Sequence, residues 1–376
     1  MNIFKKIDLW KRCDGFIDPY PLIRPFLFLL DPEFAHEMTM KTLKWGLGPH
    51  FHGPDDEILK TELWGLHFPN PIHLAAGLDK QATVIDECMG FGFGSIEIGG
   101  VTPEPQAGNP RPRMFRIKEA KALINRFGFN SVGLAVFAAR MKAWRAKDGR
   151  TKNPVGVNMA KNKDTEVERD DYVRLLKGLA PYADYMTVNV SCPNSPGFCD
   201  MQEQGRMAAL VKAVTDARDE VAPELPVLVK ISPDITEDQQ KEIAALMLSS
   251  KAQGLIVGNT TTTRPSSIPE DMAQEIGGLS GPVLFDSSTR LLAKMYKLTE
   301  GKVPLIGCGG VSSGKDAYAK IRAGASLVQV YTALIFEGPL VVQKMKRELA
   351  DLLRRDGFKS VSEAVGVEHR AGSCIK

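Results

Sequence analysis

The chain has 376 residues, of which 43% are hydrophobic and 25% are charged, as expected of a large folded domain with room for a small appendage. Its net charge of +3 is too small to predict a nucleic-acid-binding surface, and no run of about 18 apolar residues predicts a helix that spans a bilayer. The six cysteines show no CxxC spacing, so no zinc or iron–sulfur site and no other metal site is expected.

The N-terminal stretch predicts at least one amphipathic helix. Asp31 followed by Pro32 is typical of a helix start, because the carboxylate caps free N–H groups and proline suits the first turn. Phe34, Met38 and Trp45 then recur at helical spacing, with lysines between them. Two arrangements fit this pattern equally: the helices lie in a membrane interface, or they pack as a pair on the main domain.

A linker-like segment, Gly53-Pro54-Asp55-Asp56, follows these helices. Glycine and proline favour a break between structural units. The predicted organisation is therefore an N-terminal helical appendage at residues 1–50 and a main domain at residues 51–376.

From about residue 70 onward, strand-like apolar runs alternate with helical stretches. Eight such runs, most of them followed by a turn, predict a closed parallel (β/α)8 TIM barrel. An open doubly wound sheet is the competing arrangement, but no GxGxxG motif follows the first run. The runs are Ile72–Ala75, Ser95–Ile98, Val155–Met159, Tyr185–Val190, Val227–Ile231, Leu255–Val257, Pro304–Ile306 and Leu327–Tyr331.

The gap between the second and third runs is longer than the others. It contains two short apolar stretches, Met114–Ile117 and Ala122–Asn125. We interpret them as a small hairpin laid over the mouth of the barrel.

Polar side chains gather where the predicted strands end, which is where barrels of this kind place their chemistry. Asn189 ends the fourth strand, Cys192 and Asn194 follow it, Asn259 follows the sixth, and Asn125 ends the predicted hairpin above them. Each amide offers a donor and an acceptor to a planar heterocycle, and a free thiol with a pKa of about 8.5 can accept a proton near physiological pH. The alternative for residues 189–197 is a polar turn with an inert thiol.

Two further features indicate a bound anion. Lys230 lies in the apolar run Val227–Ile231, where a charge needs an anionic partner, and a reduced flavin would be one. The glycine-rich turn at residues 307–314, together with Tyr331 and Thr332, is typical of a phosphate site in barrels. A tight turn without a ligand is the alternative.

Seven short motifs follow one another along the chain: Ala75–Lys80, Glu97–Pro103, Gly108–Arg113, Asn125–Asn130, Asn189–Asn194, Gly277–Gly281 and Gly309–Gly314. In this order they closely resemble one enzyme family, the dihydroorotate dehydrogenases. The N-terminal segment Asp31-Pro32-Glu33 with His36 resembles the appendage of the membrane-associated, quinone-reducing class, which the soluble classes lack.

The resemblance implies FMN as the cofactor and assigns site residues by position, with Cys192 as the catalytic base. The residues implied to bind FMN are Ala76, Gly77, Lys80, Gly100, Asn158, Asn189, Lys230, Gly258, Gly281, Gly310, Tyr331 and Thr332. Those implied to bind dihydroorotate are Lys80, Asn125, Arg126, Phe127, Gly128, Phe129, Asn189, Asn194, Asn259 and Thr260. Those implied to border a quinone tunnel are His36, Arg116 and Tyr331.

The resemblance also implies the activity: oxidation of (S)-dihydroorotate to orotate in de novo pyrimidine (UMP) biosynthesis, with a ubiquinone-type quinone as electron acceptor. It implies peripheral membrane contact through the N-terminal helices, at the mitochondrial inner membrane or, alternatively, the bacterial cytoplasmic membrane. The chain departs from the quinone-reducing class at Cys192, where that class normally has serine and the soluble classes have cysteine. Alternatives are a soluble-type enzyme that uses fumarate or NAD, another FMN barrel oxidoreductase, and a membrane-peripheral scaffold without activity.

Overall fold

A computed structural model describes residues 18–51, 53–191 and 205–370 of the chain. The implied base Cys192 and the implied substrate ligand Asn194 lie outside these residues. Their roles are assigned from the sequence alone.

Helices and strands alternate along the chain. The helices are α1 (Tyr20–Leu27), α2 (Pro32–Lys44), α3 (Ile85–Met89), α4 (Gly133–Arg145), α5 (Glu168–Leu179), α6 (Arg206–Val221), α7 (Glu237–Ser249), α8 (Glu270–Ala273), α9 (Phe285–Leu298), α10 (Gly314–Arg322), α11 (Thr332–Glu337), α12 (Val341–Arg355) and α13 (Val361–Ala364). The strands are β1 (Thr61–Leu63), β2 (Leu66–Phe68), β3 (Ile72–Leu74), β4 (Ser95–Val101), β5 (Met114–Ile117), β6 (Ala122–Asn125), β7 (Val155–Met159), β8 (Tyr185–Asn189), β9 (Val227–Ile231), β10 (Gly254–Val257), β11 (Gly278–Ser280), β12 (Leu305–Cys308) and β13 (Ala325–Val330).

Eight parallel strands close into a barrel in the order β3-β4-β7-β8-β9-β10-β12-β13, and β13 pairs back to β3. This confirms the predicted (β/α)8 architecture. Every residue of β3, β4, β7, β8, β9 and β10 is buried, because helices cover the outside and side chains fill the inside. For that reason the sequence shows mostly continuous apolar runs. Strand β4 extends past its predicted end at Ile98, since its pairing with β7 continues through the two glycines with a register shift.

The hairpin of β1 and β2 covers the amino-terminal end of the barrel. Phe68 packs there against the first inward-facing apolar residues of five strands, and the Trp64 ring packs on the same cluster. The indole Nε1 of Trp64 also donates a hydrogen bond to the Gln253 carbonyl oxygen at 2.7 Å. This hairpin was not predicted from the sequence. The apolar partners of Phe68 are Tyr185, Leu228, Ile256, Ile306 and Leu327.

The opposite, carboxyl end carries the predicted hairpin. Strands β5 and β6 pair antiparallel with the bounds that the sequence predicts. A third strand, β11, joins the free edge of β6 in an antiparallel pairing. Its three residues were too few and too rich in glycine and serine to predict a strand, so the prediction stopped at two strands.

The N-terminal helices contact the barrel close to this end. The Asp31 carboxylate caps α2 by accepting a hydrogen bond from the Phe34 backbone N–H at 2.9 Å, as the sequence predicts. The Tyr20 hydroxyl and Arg24 Nη1 each donate to a backbone carbonyl of α11 at 2.6 Å. Helix α1 is therefore attached to the element that follows the last barrel strand.

One histidine lies inside the barrel near its floor. His73 on β3 is fully buried, and its ring lies 5.0 Å from the Phe68 ring, centroid to centroid. Neither ring nitrogen has a hydrogen-bond partner among the described residues. Burial without a partner disfavours the charged imidazolium and lowers the pKa of His73 to about 3.

We expect His73→Leu to reduce the acid sensitivity of folding. An unfolded histidine has a pKa near 6.5, so between about pH 6.5 and 3 the unfolded chain binds more protons, and stability falls as the pH falls. Between pH 7.5 and 4.5 the wild-type chain should therefore lose about 3 kcal/mol more than the variant, as measured by urea unfolding at each pH. The exposed His67 is the matched control: His67→Leu should keep the wild-type pH dependence. Equal losses in wild type and His73→Leu would contradict the assignment.

Candidate active site

A cavity of about 1360 Å³, including its open mouth, lies at the carboxyl end of the barrel under the three-stranded sheet. All eight barrel strands or the loops that follow them contribute to its lining. Active sites of (β/α)8 barrels lie at this end. The lining also includes side chains of β5 and β6 from the hairpin above it.

All but one of the residues implied to bind FMN line this cavity. The exception is Gly258, which packs against Pro233 instead. The lining residues of this set are Ala76, Gly77, Lys80, Gly100, Asn158, Asn189, Lys230, Gly281, Gly310, Tyr331 and Thr332.

Most described residues implied to bind dihydroorotate line the same cavity. Arg126 does not: its Nη1 donates to Glu275 Oε2 at 2.6 Å and to the Ile276 carbonyl oxygen at 2.9 Å. The residues of this set that line the cavity are Lys80, Asn125, Phe127, Gly128, Phe129, Asn189, Asn259 and Thr260.

The three residues implied to border a quinone tunnel do not share one cavity. Tyr331 lines the main cavity, whereas His36 lines a second one between α2 and the barrel rim. Burial, and next the positive charge of Lys80, lower the pKa of His36 to about 4, so His36 is neutral at physiological pH. Arg116 lines neither cavity; its guanidinium donates to the backbone carbonyls of Phe28 and Leu30 at 3.1 and 3.0 Å.

Glycines shape the part of the cavity predicted to hold a phosphate. Gly310 has φ +79°, and a Cβ there would lie 2.4 Å from the backbone nitrogen of Phe285. Gly281 has φ +117°, and a Cβ there would lie 2.7 Å from the Lys121 carbonyl oxygen. Only glycine fits both positions, and it leaves the backbone open to a close ligand. The Thr332 hydroxyl donates to the Ser280 hydroxyl at 2.9 Å and connects the start of α11 to the turn at Gly281.

A layer of buried polar side chains lies below the cavity. Glu97 accepts hydrogen bonds from Asn158 Nδ2 at 2.7 Å, Thr187 Oγ1 at 2.9 Å and Gln329 Nε2 at 3.2 Å. Lys230 Nζ lies 4.0 Å from Glu97 Oε1 and donates to Gln329 Oε1 at 3.4 Å. The anionic partner expected for Lys230 is therefore present within the chain itself.

Glu97 was not among the site residues predicted from the sequence. The signal was available, since a carboxylate in the apolar run of β4 is as costly to bury as the lysine in β9. Opposite charges on two buried strands of one barrel, Glu97 on β4 and Lys230 on β9, predict an ion pair inside the barrel.

A buried ion pair connects α2 to the cavity wall. Arg113 donates from Nε to both Glu33 carboxylate oxygens at 3.1 Å and from Nη2 to Oε1 at 2.8 Å, with both residues buried. The Arg113 guanidinium also lies 5.1 Å from the centroid of the Phe127 ring, and Lys80 Nζ lies 4.7 Å from the same centroid. Through Arg113, helix α2 thus helps to hold Phe127 and Lys80, two side chains that line the cavity.

These features define a (β/α)8-barrel enzyme whose cavity combines a glycine-lined turn, carboxamides and a buried ammonium group. The profile of one protein family, described as dihydroorotate dehydrogenase, matches residues 58–353. The chain belongs to the dihydroorotate dehydrogenase family.

A bacterial relative, a plant relative and one solved structure show how far the similarity extends. The dihydroorotate dehydrogenase (quinone) of Azorhizobium caulinodans is 47% identical, over 94% of this chain and 100% of its own length. The mitochondrial dihydroorotate dehydrogenase (quinone) of Oryza sativa is 47% identical, over 96% of this chain and 82% of its own. The crystal structure of DHODH from Eimeria tenella in complex with ferulenol superposes with a TM-score of 0.87 at 38% identity, covering 92% of this chain and 99% of that one.

We expect Glu33→Ala to destabilise the chain by about 3–5 kcal/mol, because it leaves the Arg113 guanidinium buried and without its carboxylate. Urea unfolding measures the loss. The control is Lys302→Ala, which breaks an exposed pair with Glu300 and should change stability by no more than about 1 kcal/mol. A loss below about 1 kcal/mol for Glu33→Ala would mean that the pair does not hold α2 in place.

Proposed function

We propose that the main cavity binds FMN beside dihydroorotate. The reaction is the oxidation of dihydroorotate to orotate with a quinone as electron acceptor, a reaction of pyrimidine biosynthesis. The observation that carries this is the family match, together with relatives named dihydroorotate dehydrogenase (quinone) that align over 94% or more of the chain. The dihydroorotate dehydrogenase family is flavin-dependent, and the choice of FMN is our proposal.

The residues of the cavity fit a flavin mononucleotide. The close approaches at Gly281 and Gly310 leave room for a phosphate against the backbone. Lys230 Nζ and the amides of Asn158 and Asn189 supply donors for the carbonyl and nitrogen edge of a ring. Bound FMN would supply the hydride acceptor. In this arrangement Lys230 holds positive charge in a water-poor site where negative charge develops.

The proposed substrate lies against the amide-lined wall. Asn125, Asn189 and Asn259 orient the dihydroorotate ring, which supplies the positioning part of catalysis. We assign Cys192, on sequence grounds, as the group that accepts the proton from C5 while hydride leaves C6, so that a C5–C6 double bond forms. A thiol is a few per cent thiolate at pH 7 and needs less activation than a serine hydroxyl.

Purified wild-type protein should be yellow, and anaerobic dihydroorotate should bleach it. Cys192→Ala should still bind FMN but should bleach about 10²–10⁴-fold more slowly in stopped flow, the scale of a lost general base. Cys308→Ala, which removes a described cysteine that lines the cavity, is a control for thiol loss and should bleach more than tenfold faster than Cys192→Ala. Unchanged bleaching in Cys192→Ala would remove the assignment, and colourless wild-type protein would remove the proposed function. Turnover with fumarate instead of quinone would favour the soluble-type alternative.

Helices α1 and α2 expose an apolar surface that we propose as the membrane contact through which quinone enters. Leu22 and Phe26 on α1, Leu29 just after α1 and Trp45 at the C-terminal end of α2 are each more than 70% exposed. No helix in the described part of the chain is both long and apolar enough to cross a bilayer. Partial insertion of such side chains is the usual way in which a short helix binds a membrane interface. The mitochondrial names of the plant and mouse relatives support the mitochondrial inner membrane as the proposed location, and the bacterial cytoplasmic membrane is the alternative.

Substituting Leu22, Phe26 and Leu29 together by glutamine should weaken binding to vesicles of phosphatidylcholine and cardiolipin at least about tenfold in a sedimentation assay, since each lost apolar contact costs about 1.5 kcal/mol or more. The KM for a long-chain quinone presented in vesicles should rise, while the rate of bleaching by dihydroorotate should not change. Leu248→Gln is the control, since it replaces an exposed leucine on α7. Equal vesicle binding by the triple variant and wild type would place the membrane contact elsewhere.

A further inference from the structure

Glu97 lies at the inner end of a chain of hydrogen bonds that leads to the cavity. The residue is 1% exposed and is not part of the cavity lining. Its carboxylate has no proton to donate when ionised, so every group bonded to it must present a donor. Asn158 Nδ2, Thr187 Oγ1 and Gln329 Nε2 do so.

Because the ionised Glu97 carboxylate can only accept hydrogen bonds, it fixes the orientation of the side-chain amides next to it. Since Asn158 turns Nδ2 toward Glu97, its Oδ1 faces Asn189 and accepts from Asn189 Nδ2 at 2.9 Å. Asn189 Oδ1 in turn accepts from the backbone N–H and the hydroxyl of Ser191 at 3.1 and 2.8 Å. The Ser191 oxygen accepts from Asn259 Nδ2 at 2.8 Å. Each amide orientation is therefore fixed by the one before it.

The orientations leave donors on the cavity side. The side-chain oxygens of Asn158, Asn189 and Asn259 all accept bonds from within the described chain, the last from the Thr260 backbone N–H at 2.9 Å. Among the described residues, Nδ2 of Asn158 and Nδ2 of Asn189 each make one hydrogen bond, so a second N–H of each remains for a ligand. Asn259 Nδ2 donates to the Ser191 hydroxyl at 2.8 Å and also to the Ser191 carbonyl oxygen at 3.4 Å. Together with the ammonium group of Lys230, the cavity presents a floor of donors.

We infer that Glu97 is a positioning residue that fixes the hydrogen-bond polarity of this floor, so that the cavity selects ligand edges rich in acceptors. The inference deepens the proposed function and rests on it, because the edges in question are the carbonyl and nitrogen edge of FMN and the carbonyl and carboxylate groups of dihydroorotate. Glu97 acts through the amides and the ammonium group and touches neither ligand.

A glutamine at position 97 has nearly the same size but cannot satisfy the same partners. If its NH₂ group faces Asn158, two N–H groups oppose each other. Asn158 can avoid this by reversing its amide, but its NH₂ group then faces the NH₂ group of Asn189. Reversal of Asn189 as well leaves the Ser191 backbone N–H facing an N–H. If the NH₂ group instead faces Gln329, that amide must reverse and turn its own NH₂ toward Lys230. Every arrangement leaves a buried donor against another donor, which proteins avoid.

The experiment compares three variants by the dissociation constant of FMN for the apoprotein, followed by quenching of FMN fluorescence, and by the visible spectrum of the bound flavin with and without orotate. Glu97→Gln tests polarity. Thr187→Val is the matched control, since it removes one donor to the same carboxylate and leaves the acceptor in place. The exchange Glu97→Gln with Gln329→Glu is the rescue variant: the NH₂ group of the new glutamine can donate to the new glutamate at 329, its oxygen can accept from Asn158, and the negative charge beside Lys230 returns. Circular dichroism at the assay temperature confirms that each variant is folded.

We expect Glu97→Gln to weaken FMN binding at least tenfold and to alter the spectral response to orotate, Thr187→Val to weaken binding by less than threefold, and the exchange to recover most of the affinity lost in Glu97→Gln. An exchange variant that binds FMN no better than Glu97→Gln would overturn the inference. So would wild-type affinity and spectrum in Glu97→Gln, or an equal loss in Thr187→Val, which would indicate general destabilisation. Wild-type protein that binds no flavin would instead refute the proposed function.

Discussion

Inside the barrel, the Lys230 ammonium lies 4.0 Å from the Glu97 carboxylate, with both side chains almost completely shielded from water. Two charges in such a place are tolerated only when they face each other and when their remaining hydrogen-bonding groups are satisfied. Asn158, Thr187 and Gln329 supply that satisfaction for Glu97. The two charges and their hydrogen-bond partners therefore depend on one another. Removal of either charge would leave the other buried without a counter-ion, which is strongly destabilising.

The alternation of side chains along each strand separates stability from chemistry. On β8, Tyr185 lies in the apolar cluster around Phe68 at the amino-terminal end. Thr187 bonds to Glu97 one layer closer to the cavity, and Asn189 lines the cavity itself. The same order appears on β9, where Leu228 belongs to the apolar cluster around Phe68 and Lys230 to the polar layer. Because inward-facing residues recur every second position, a single strand contributes to the closed end, the charged layer and the ligand site.

The N-terminal helices do more than cover the barrel. The Glu33–Arg113 pair fixes α2 to the loop that precedes β5, and Arg113 shares the Phe127 ring with Lys80. A segment whose exposed side chains we assign to a membrane is thus in contact, through a single aromatic ring, with a wall of the ligand cavity. That contact gives a physical link between the proposed quinone entrance and the proposed site of dihydroorotate oxidation.

Much of the fold could be predicted, because the elements that form it leave patterns in short stretches of the sequence. Parallel strands buried on both faces must be apolar, so the eight barrel strands stand out in the sequence, and the capped start of α2 follows from Asp31 and Pro32 alone. Most residues implied by the family motifs also line one cavity, because a barrel brings all its strand ends to one rim. The short hairpin β1–β2 and the third strand β11 were missed, since three-residue strands carry no periodicity.

The amino-acid sequence by itself determined which elements form and which residue types gather at the strand ends. Only the tertiary structure decided how those residues pair. Glu97 receives bonds from positions 158, 187 and 329, and Glu33 pairs with Arg113 eighty residues away. Partners so far apart in the chain leave no local pattern, because their choice depends on closure of the barrel. Closure also places Arg116 on the backbone of the first helices and His36 in a cavity separate from that of Tyr331.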